Sequence, residues 1–365
     1  NTWNGLKHTS NELFIEGIES PGFENLNLQV KCVLDDLQII EQYFAFPGLD
    51  SIRTLNGMLE RQELMAFHNK VSDLVTILVS EAHRKDLNLL QKGKTLKEDL
   101  PKKKKDQGIK QKYFEVLFVD NIEEDEIKVI KKKLKSLRTP VDKFYYRLVH
   151  VRTFEDAMMS LTFNPSIQSC VIRYGLPYDS EHTNGFLQPF IGNIKNIDLR
   201  NHSEFALGPM LGKIIKHFRP EIDIYLGTDH SPANIKDSTL QNFRRIFYRK
   251  EDIQELHLTI MRYIKERYHT PFFSALMKYS QRPTGVFHAM PISRGNSVFK
   301  SRWIEDFGEF YGRNLFLAET SATTGGLDSL LQPTGPLKIA QNKAAEAFGA
   351  EHTFFATNGT STSNK

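Results

Sequence analysis

Cysteine and long apolar runs are scarce in this sequence. Only Cys32 and Cys170 occur in 365 residues. They lie far apart in apolar surroundings, so we expect neither a disulfide framework nor a cysteine-based metal site. No uninterrupted apolar run reaches membrane-spanning length, and the start lacks the charged-then-apolar pattern of a signal peptide. These absences favour a location in the reducing cytoplasm. They predict neither a metal site nor a membrane partner.

The sequence also lacks a large surplus of charge of one sign. Lysine and arginine number 48 against 44 for aspartate and glutamate, and part of the surplus is concentrated in runs such as Lys102–Lys105. A global field for nucleic acid is therefore not predicted. Hydrophobic residues at 40% and charged residues at 25% are ordinary for a globular protein, and the length predicts two or three domains.

The N-terminal part carries a helical pattern. Apolar side chains recur at helical spacing over residues 24–46 and again over 51–90, which predicts two long packed helices separated by Pro47-Gly48. Residues 92–112 are lysine-rich and lack apolar periodicity, as is typical of a solvated linker. We therefore predict a helical N-terminal extension with a lysine-rich linker over residues 1–110.

Beyond this extension, short apolar strands alternate with amphipathic helices. The predicted strands cover residues 114–119, 144–151, 167–174 and 222–226. The alternation predicts a doubly wound parallel sheet over 111–235, which resembles the flavodoxin or receiver type of domain. Ligands of such folds lie beyond the C-terminal ends of the strands, which singles out Asp120. The third predicted strand ends at Arg173-Tyr174-Gly175 instead of an aspartate, which favours a degenerate receiver.

Two further segments follow. Helical periodicity resumes over residues 238–267, and Thr270 before Pro271 is a typical helix start, so we predict a helical linker over 236–285. Near the end, Phe354 begins a predicted short buried strand that runs into a Gly-Thr-Ser-Thr turn. Such a turn presents N–H groups and hydroxyls at a helix N-terminus, where a phosphate is stabilised.

Two other interpretations of this turn stay open. It is also compatible with a polar strand-to-helix turn whose hydroxyls only cap the helix. It approximates a nucleotide P-loop as well, although Asn364 stands where that pattern requires its second glycine, and the glycine is needed for a tight phosphate cradle.

Three blocks in fixed order give the C-terminal part a family resemblance. They are GLDSLLQPTGPLKIAQ over residues 326–341, AEAFGA over 345–350 and FATNGTST over 355–362. Together they resemble the opening of the large domain of the pyridoxal-phosphate-dependent ornithine/lysine/arginine decarboxylases. The larger bacterial type combines a receiver-like wing, a helical linker and an aspartate-aminotransferase-type (fold type I) cofactor domain. By this resemblance residues 286–365 are the beginning of that domain, truncated, whereas residues 1–105 have no recognised counterpart.

The resemblance implies a site and a reaction. Thr360 and Ser361 match the residues that hold the phosphate of pyridoxal 5'-phosphate, and Gly359 lets the backbone approach it. A basic amino acid (lysine, ornithine or arginine) would yield its amine and carbon dioxide, as in polyamine biosynthesis, in a homo-oligomer that is a dimer or larger. The family's Schiff-base lysine, found in a Ser-x-His-Lys context, is not in this chain, and Lys365 does not replace it. No catalytic residue is therefore assigned, and the chain alone is expected to be inactive.

One loop departs from the family pattern. Residues 287–295 keep a histidine and one glycine but lose the usual glycine-rich sequence. His288 could reach a neighbouring subunit's site, or serve only a local hydrogen bond; Arg294 could bind a carboxylate, although an ordinary surface arginine is favoured. The departure leaves two alternatives: a non-catalytic relative with a role in assembly or regulation, and a stand-alone receiver-like module over residues 1–270.

Overall fold

The computed structural model forms two compact units, Asn1–Tyr263 and Ile264–Lys365. It describes residues 2–84, 112–139, 142–180, 204–229, 238–248, 253–283, 285, 292–301, 304–319 and 327–364. Among these residues, no helix has both the length and the apolar character needed to cross a membrane.

The first unit begins with a layer of helices. These are α1 (Thr2–Glu16), α2 (Phe23–Glu41), α3 (Gly48–Glu60) and α4 (Leu64–Val79). They pack around one buried apolar cluster that includes Leu13, Leu34 and Phe67. The helix predicted over 24–46 is confirmed as α2, although it ends earlier.

The helix predicted over 51–90 is wrong as a single element. The chain turns between α3 and α4, where Gln62 has a φ of 55°. A left-handed residue ends a helix because its carbonyl and amide no longer follow the helical path. Apolar spacing does not reveal this turn, because the residues on both sides keep the same period. The later part of the predicted helix lies outside the described residues.

A five-stranded parallel sheet follows, and it confirms the predicted α/β class. The strands are β1 (Lys112–Val119), β2 (Phe144–Val151), β3 (Ile167–Arg173), β4 (Asp223–Gly227) and β5 (Arg245–Phe247). Their spatial order is β2-β1-β3-β4-β5, the flavodoxin-like order of doubly wound sheets. The four predicted strands correspond to β1 to β4 and differ from them by at most two residues at either end.

β5 corrects the sequence interpretation. Residues 238–267 were expected to be helical throughout, but Arg245 to Phe247 pair in parallel with Tyr225 to Gly227 at the edge of the sheet. The apolar residues of this stretch fit a helical period, and a strand of this length has too few residues to show an alternating one. The helical expectation is confirmed for a short 3-10 helix over Ser238–Asn242 and for the later part, α8 (Ile253–Arg267).

Helices cover both faces of the sheet. They are α5 (Glu124–Ser136), α6 (Phe154–Phe163), α7 (Glu204–Phe218) and α8. Successive residues of a strand point to opposite faces. Leu117 and Val119 of β1 therefore join the core that includes residues of α6 and α7, whereas Phe118 borders a cavity lined also by Ile130 of α5 and Leu256 of α8.

The second unit is helical in its described part. Besides the end of α8 it contains α9 (Pro271–Ser280), α10 (Asn296–Phe299), α11 (Glu305–Tyr311), α12 (Arg313–Leu317), α13 (Pro336–Phe348) and α14 (Thr360–Ser363). The buried strand predicted from Phe354 is wrong: Phe354 is 82% exposed, and no residue of 351–359 is in a strand. A strand needs a neighbour for its backbone groups, and none of the described residues of this unit forms one.

Candidate functional site

The edge of the sheet was the first predicted ligand position. Asp120 is buried directly after β1; its N–H donates to the Val151 carbonyl (3.1 Å), and its own carbonyl accepts from His150 Nε2 (2.9 Å). At the end of β3 the Arg173 guanidinium forms an ion pair with Asp229. β3 thus ends at an ion-paired arginine, and the degenerate receiver stays a prediction from the sequence.

The predicted phosphate turn is one local structure. Gly359 has φ 79° and ψ −178°, and it precedes the four-residue helix α14. Its carbonyl accepts from the N–H groups of Thr362 (3.2 Å) and Ser363 (3.4 Å). Gly359, Thr360 and Ser361 are all exposed. The N–H groups of Thr360 and Ser361 belong to the first turn of the helix, where no intrahelical acceptor is available.

This turn has the chemistry of an oxyanion site. Two backbone N–H groups and two hydroxyls can donate to phosphate oxygens, and the backbone conformation of Gly359 is one that residues with a Cβ rarely adopt. Space around Gly359 is open, since a Cβ there would meet nothing within 4 Å. Because α14 is so short, its dipole contributes little, and hydrogen bonds must supply the affinity. The donor set fits a phosphate ester.

A residue that sequence reasoning missed organises the preceding motif. The Asp328 carboxylate accepts four hydrogen bonds from the start of α13: from the N–H groups of Thr334 (2.8 Å), Gly335 (2.6 Å), Leu337 (3.0 Å) and Lys338 (3.3 Å). It thereby caps α13 and fixes the Thr-Gly-Pro turn in front of it. The available signal was an aspartate shortly before a helix that begins with proline, but the distance in sequence exceeds that of an ordinary capping box.

The electrostatics of Asp328 agree with this role. Partial burial by itself would raise the pKa of the Asp328 carboxyl. The backbone donors of Thr334, Gly335, Lys338 and Leu337 together outweigh this effect, so the pKa lies below its ordinary value. Asp328 is therefore held as a carboxylate at neutral pH, the form that accepts all four bonds.

Arg294 is not the surface arginine that the sequence favoured. It is 7% exposed, and its guanidinium donates to the carbonyls of Tyr279, Ser280 and Arg282, each at 3.2 Å. These are carbonyls at the C-terminal end of α9, where a cation is stabilised. The guanidinium also lies 4.8 Å from the centre of the Tyr279 ring. Burial and the bonds from Nη1 and Nη2 to backbone carbonyls give Arg294 a structural role instead of an exposed surface position.

The neighbouring loop positions differ in how far they can be described. Gly295 has a φ of 90°, and a Cβ there would lie 2.8 Å from the Phe299 ring and 2.9 Å from Phe316 Cβ, so close packing requires glycine. His288 lies outside the described residues. The structure thus brings Gly359, Thr360 and Ser361 into one turn, and it places Arg294 against residues 279–282.

The C-terminal part of the chain matches a known family of proteins. Residues 270–365 match the family model described as Orn/Lys/Arg decarboxylase, major domain. The resemblance to the ornithine/lysine/arginine decarboxylase family is therefore confirmed, and the matched segment begins within the linker predicted over 236–285. The segment contains the Asp328-capped turn and the Gly359 turn.

Two relatives illustrate the similarity in sequence. The chain is 41% identical over 95 residues to lysine decarboxylase LdcA of Pseudomonas aeruginosa, which covers 26% of the chain and 13% of that protein. It is 40% identical over 99 residues to arginine decarboxylase of Bacillus anthracis, which covers 27% of the chain and 19% of that protein. The matched part of the chain thus spans less than a fifth of the length of each of these relatives.

Solved structures give a looser similarity. Lysine decarboxylase A from Pseudomonas aeruginosa superposes with a TM-score of 0.39 and 22% sequence identity, over 69% of this chain and 32% of that one.

Proposed function

We propose that this chain is the N-terminal portion of a pyridoxal-phosphate-dependent decarboxylase of a basic amino acid. The substrate would be lysine, ornithine or arginine, and the products the corresponding amine and carbon dioxide. The match of residues 270–365 to the decarboxylase major domain carries this proposal. A cytoplasmic homo-oligomer, a dimer or larger, is part of the same proposal.

In the proposed site, Thr360 and Ser361 bind the phosphate group of the cofactor. Their N–H groups and hydroxyls are exposed and lie in one turn. Gly359 contributes a backbone conformation that residues with a Cβ rarely adopt, and the space around it is open. When bound, the cofactor supplies an electron sink for the carbanion left by decarboxylation.

Asp328 would act as a positioning residue in this domain. It holds the start of α13 by four hydrogen bonds, and α13 leads through Gly349, which has a φ of 65°, towards the phosphate turn. The covalent step requires a lysine that the family carries in a Ser-x-His-Lys context. The dipeptide His-Lys does not occur in the sequence. We therefore propose that these residues grip the phosphate but do not decarboxylate by themselves.

The test compares variants of the full-length protein. Thr360→Val and Ser361→Ala remove the proposed phosphate hydroxyls, whereas Thr362→Val makes a matched change on the same helix. A lost hydrogen bond to a charged group corresponds to roughly tenfold to hundredfold weaker binding. Affinity for pyridoxal 5'-phosphate should fall by this factor in the first two variants only. Affinity for pyridoxal, which lacks the phosphate, should not change.

Carbon dioxide release from lysine, ornithine and arginine is measured in parallel. Release of carbon dioxide from one of them that depends on pyridoxal 5'-phosphate supports the proposed decarboxylase function. Cofactor binding without release from any of the three supports the non-catalytic relative instead. The phosphate assignment fails if Thr362→Val lowers the affinity for pyridoxal 5'-phosphate as much as Thr360→Val does, or if pyridoxal binds as tightly as pyridoxal 5'-phosphate.

A further inference from the structure

A second candidate site lies in the first unit, between the helical extension and the sheet. One wall is the segment from the end of α2 to α3, and the other consists of α5 and β2. The pocket between them has a volume of about 140 Å³. This is close to the ~150 Å³ of engineered cavities that hold benzene, so the space suits a short organic molecule.

The walls of this pocket are held by specific bonds. Glu41, which is buried, accepts from Trp3 Nε1 (2.6 Å) and from the Gly48 N–H (3.1 Å). Across the opening, the Arg53 guanidinium forms two hydrogen bonds with the Glu124 carboxylate, at 2.5 and 2.8 Å, and so ties α3 to α5. A bidentate pair of this kind fixes geometry as well as charge. The pocket is therefore a built feature of the unit.

Three cations line the pocket, and one of them has no hydrogen-bond or ion-pair partner among the described residues. Arg53 is bound to Glu124, and Lys128 lies 3.1 Å from Asp125. Lys131 makes no hydrogen bond or ion pair within the described part of the chain. Although its side chain as a whole is exposed, desolvation lowers the pKa of its ammonium, and the carboxylates of Asp50 and Glu124 only partly oppose this. An incoming anion would compensate that desolvation.

The remaining lining defines the rest of the ligand. Burial is the largest cause that lowers the pKa of His150, and the charge of Lys131 adds to it. His150 donates from Nε2 to the Asp120 carbonyl, so the neutral ring leaves Lys131 as the cation for a ligand. Phe44, Ile127 and Leu148 provide apolar surface beside it.

The balance of charge limits the kind of anion. The lining carries three cations, Arg53, Lys128 and Lys131, and three carboxylates, Glu41, Asp50 and Glu124. A polyphosphate or other polyanion would meet as many negative groups as positive ones. A single carboxylate needs only Lys131, and a short carbon chain would cover the apolar lining.

We propose that this pocket binds a short-chain monocarboxylate, with its carboxylate on the Lys131 ammonium and its carbon chain on Phe44, Ile127 and Leu148. This site lies in the unit that the decarboxylase family model does not match. The inference is therefore independent of the proposed function, and either can fail alone.

The experiment uses the 365-residue chain and three probes: butyrate, 1-butanol as the uncharged analogue, and inorganic phosphate. Binding is measured by calorimetry and by the rise in melting temperature. Lys131→Met removes the proposed ammonium, and Lys132→Met makes the same change at an exposed neighbour on α5 that does not line the pocket. Neither variant opens the core, because both side chains are exposed.

We expect butyrate to bind the wild type, and Lys131→Met to bind it roughly tenfold to hundredfold more weakly. Lys132→Met should bind butyrate as tightly as the wild type does. 1-Butanol should bind weakly to the wild type and to both variants. The proposal is overturned if butyrate does not bind, if phosphate binds as tightly as butyrate, or if both lysine variants lose affinity equally.

Discussion

Removal of the Asp328 carboxylate should loosen the start of α13. Of its four bonds to the turn and helix, those from Gly335 (2.6 Å) and Leu337 (3.0 Å) are partly buried, and those from Thr334 and Lys338 are exposed. About 1 kcal/mol for each partly buried, charge-assisted bond and a few tenths for each exposed one give roughly 2–3 kcal/mol for Asp328→Ala. This exceeds the roughly 1 kcal/mol of a typical helix cap.

Hydrogen exchange measured by mass spectrometry tests this value locally. Peptides from α13 should exchange roughly 30-fold to 150-fold faster in Asp328→Ala, whereas peptides from α1 to α4 should not change. Asp306→Ala is the matched control. Asp306 is an exposed aspartate at the start of α11 that accepts a hydrogen bond from the adjacent Phe307 N–H, at 2.9 Å. Unchanged α13 exchange in Asp328→Ala, or an equal change in Asp306→Ala, would refute the reasoning.

The lowered pKa of Asp328 adds a pH dependence with a definite sign. Its folded-state pKa lies below the unfolded value because backbone donors favour the carboxylate. Its contribution to stability is therefore complete above the ordinary aspartate pKa of about 3.9 and is lost as the pH falls through the lower folded-state pKa. The difference in melting temperature between wild type and Asp328→Ala should shrink over this range. A difference that stays constant down to the acid limit of folding would contradict the assignment.

Three further predictions concern buried groups elsewhere. Arg294→Lys should lower the free energy of unfolding by about 2 kcal/mol, because one ammonium cannot reach three carbonyls. Hydrogen exchange in α9 should therefore increase, whereas the same change at the exposed Arg313 should leave it unchanged. Asn164→Ala should lower the free energy of unfolding, measured by chemical denaturation, by about 3 kcal/mol, since Asn164 Nδ2 donates to both Tyr43 O and Glu115 Oε2 at 2.8 Å. A loss no larger than that caused by Thr162→Ala, at an exposed position, would contradict this. Burial raises the pKa of the Cys170 thiol, so iodoacetamide should label the exposed Cys32 in the native chain and Cys170 only after unfolding.

The extent of successful prediction follows from how local each signal is. β1 to β4 are short apolar runs bounded by breaks, and their positions could be predicted from the local sequence pattern alone. β5 could not, since Ile246 and Phe247 fit a helical period and become a strand only because the edge of β4 accepts them. The same limit applies to Gln62: its left-handed conformation divides a helical pattern that remains continuous in the sequence.

The candidate site shows the same limit for side chains. The Gly359 turn was predicted because glycine and hydroxyl residues act within one short segment. Asp328 and Arg294 act on backbone groups six to fifteen residues away, and a single sequence does not indicate which distant carbonyl or amide a charged side chain will meet. Both residues proved to bind the ends of helices, where unsatisfied backbone groups are concentrated.

The helical extension is joined to the sheet by buried polar bonds as well as by apolar packing. Glu115 of β1 accepts from the Ala45 N–H at 3.1 Å and from Asn164 Nδ2 at 2.8 Å, and the same Asn164 nitrogen donates to the Tyr43 carbonyl. Buried groups of this kind are costly when a partner is removed. The predicted boundary near residue 110 therefore lies inside one compact unit. Because the monocarboxylate pocket has its walls on both sides of this junction, a ligand there would act on the packing of the extension against the sheet.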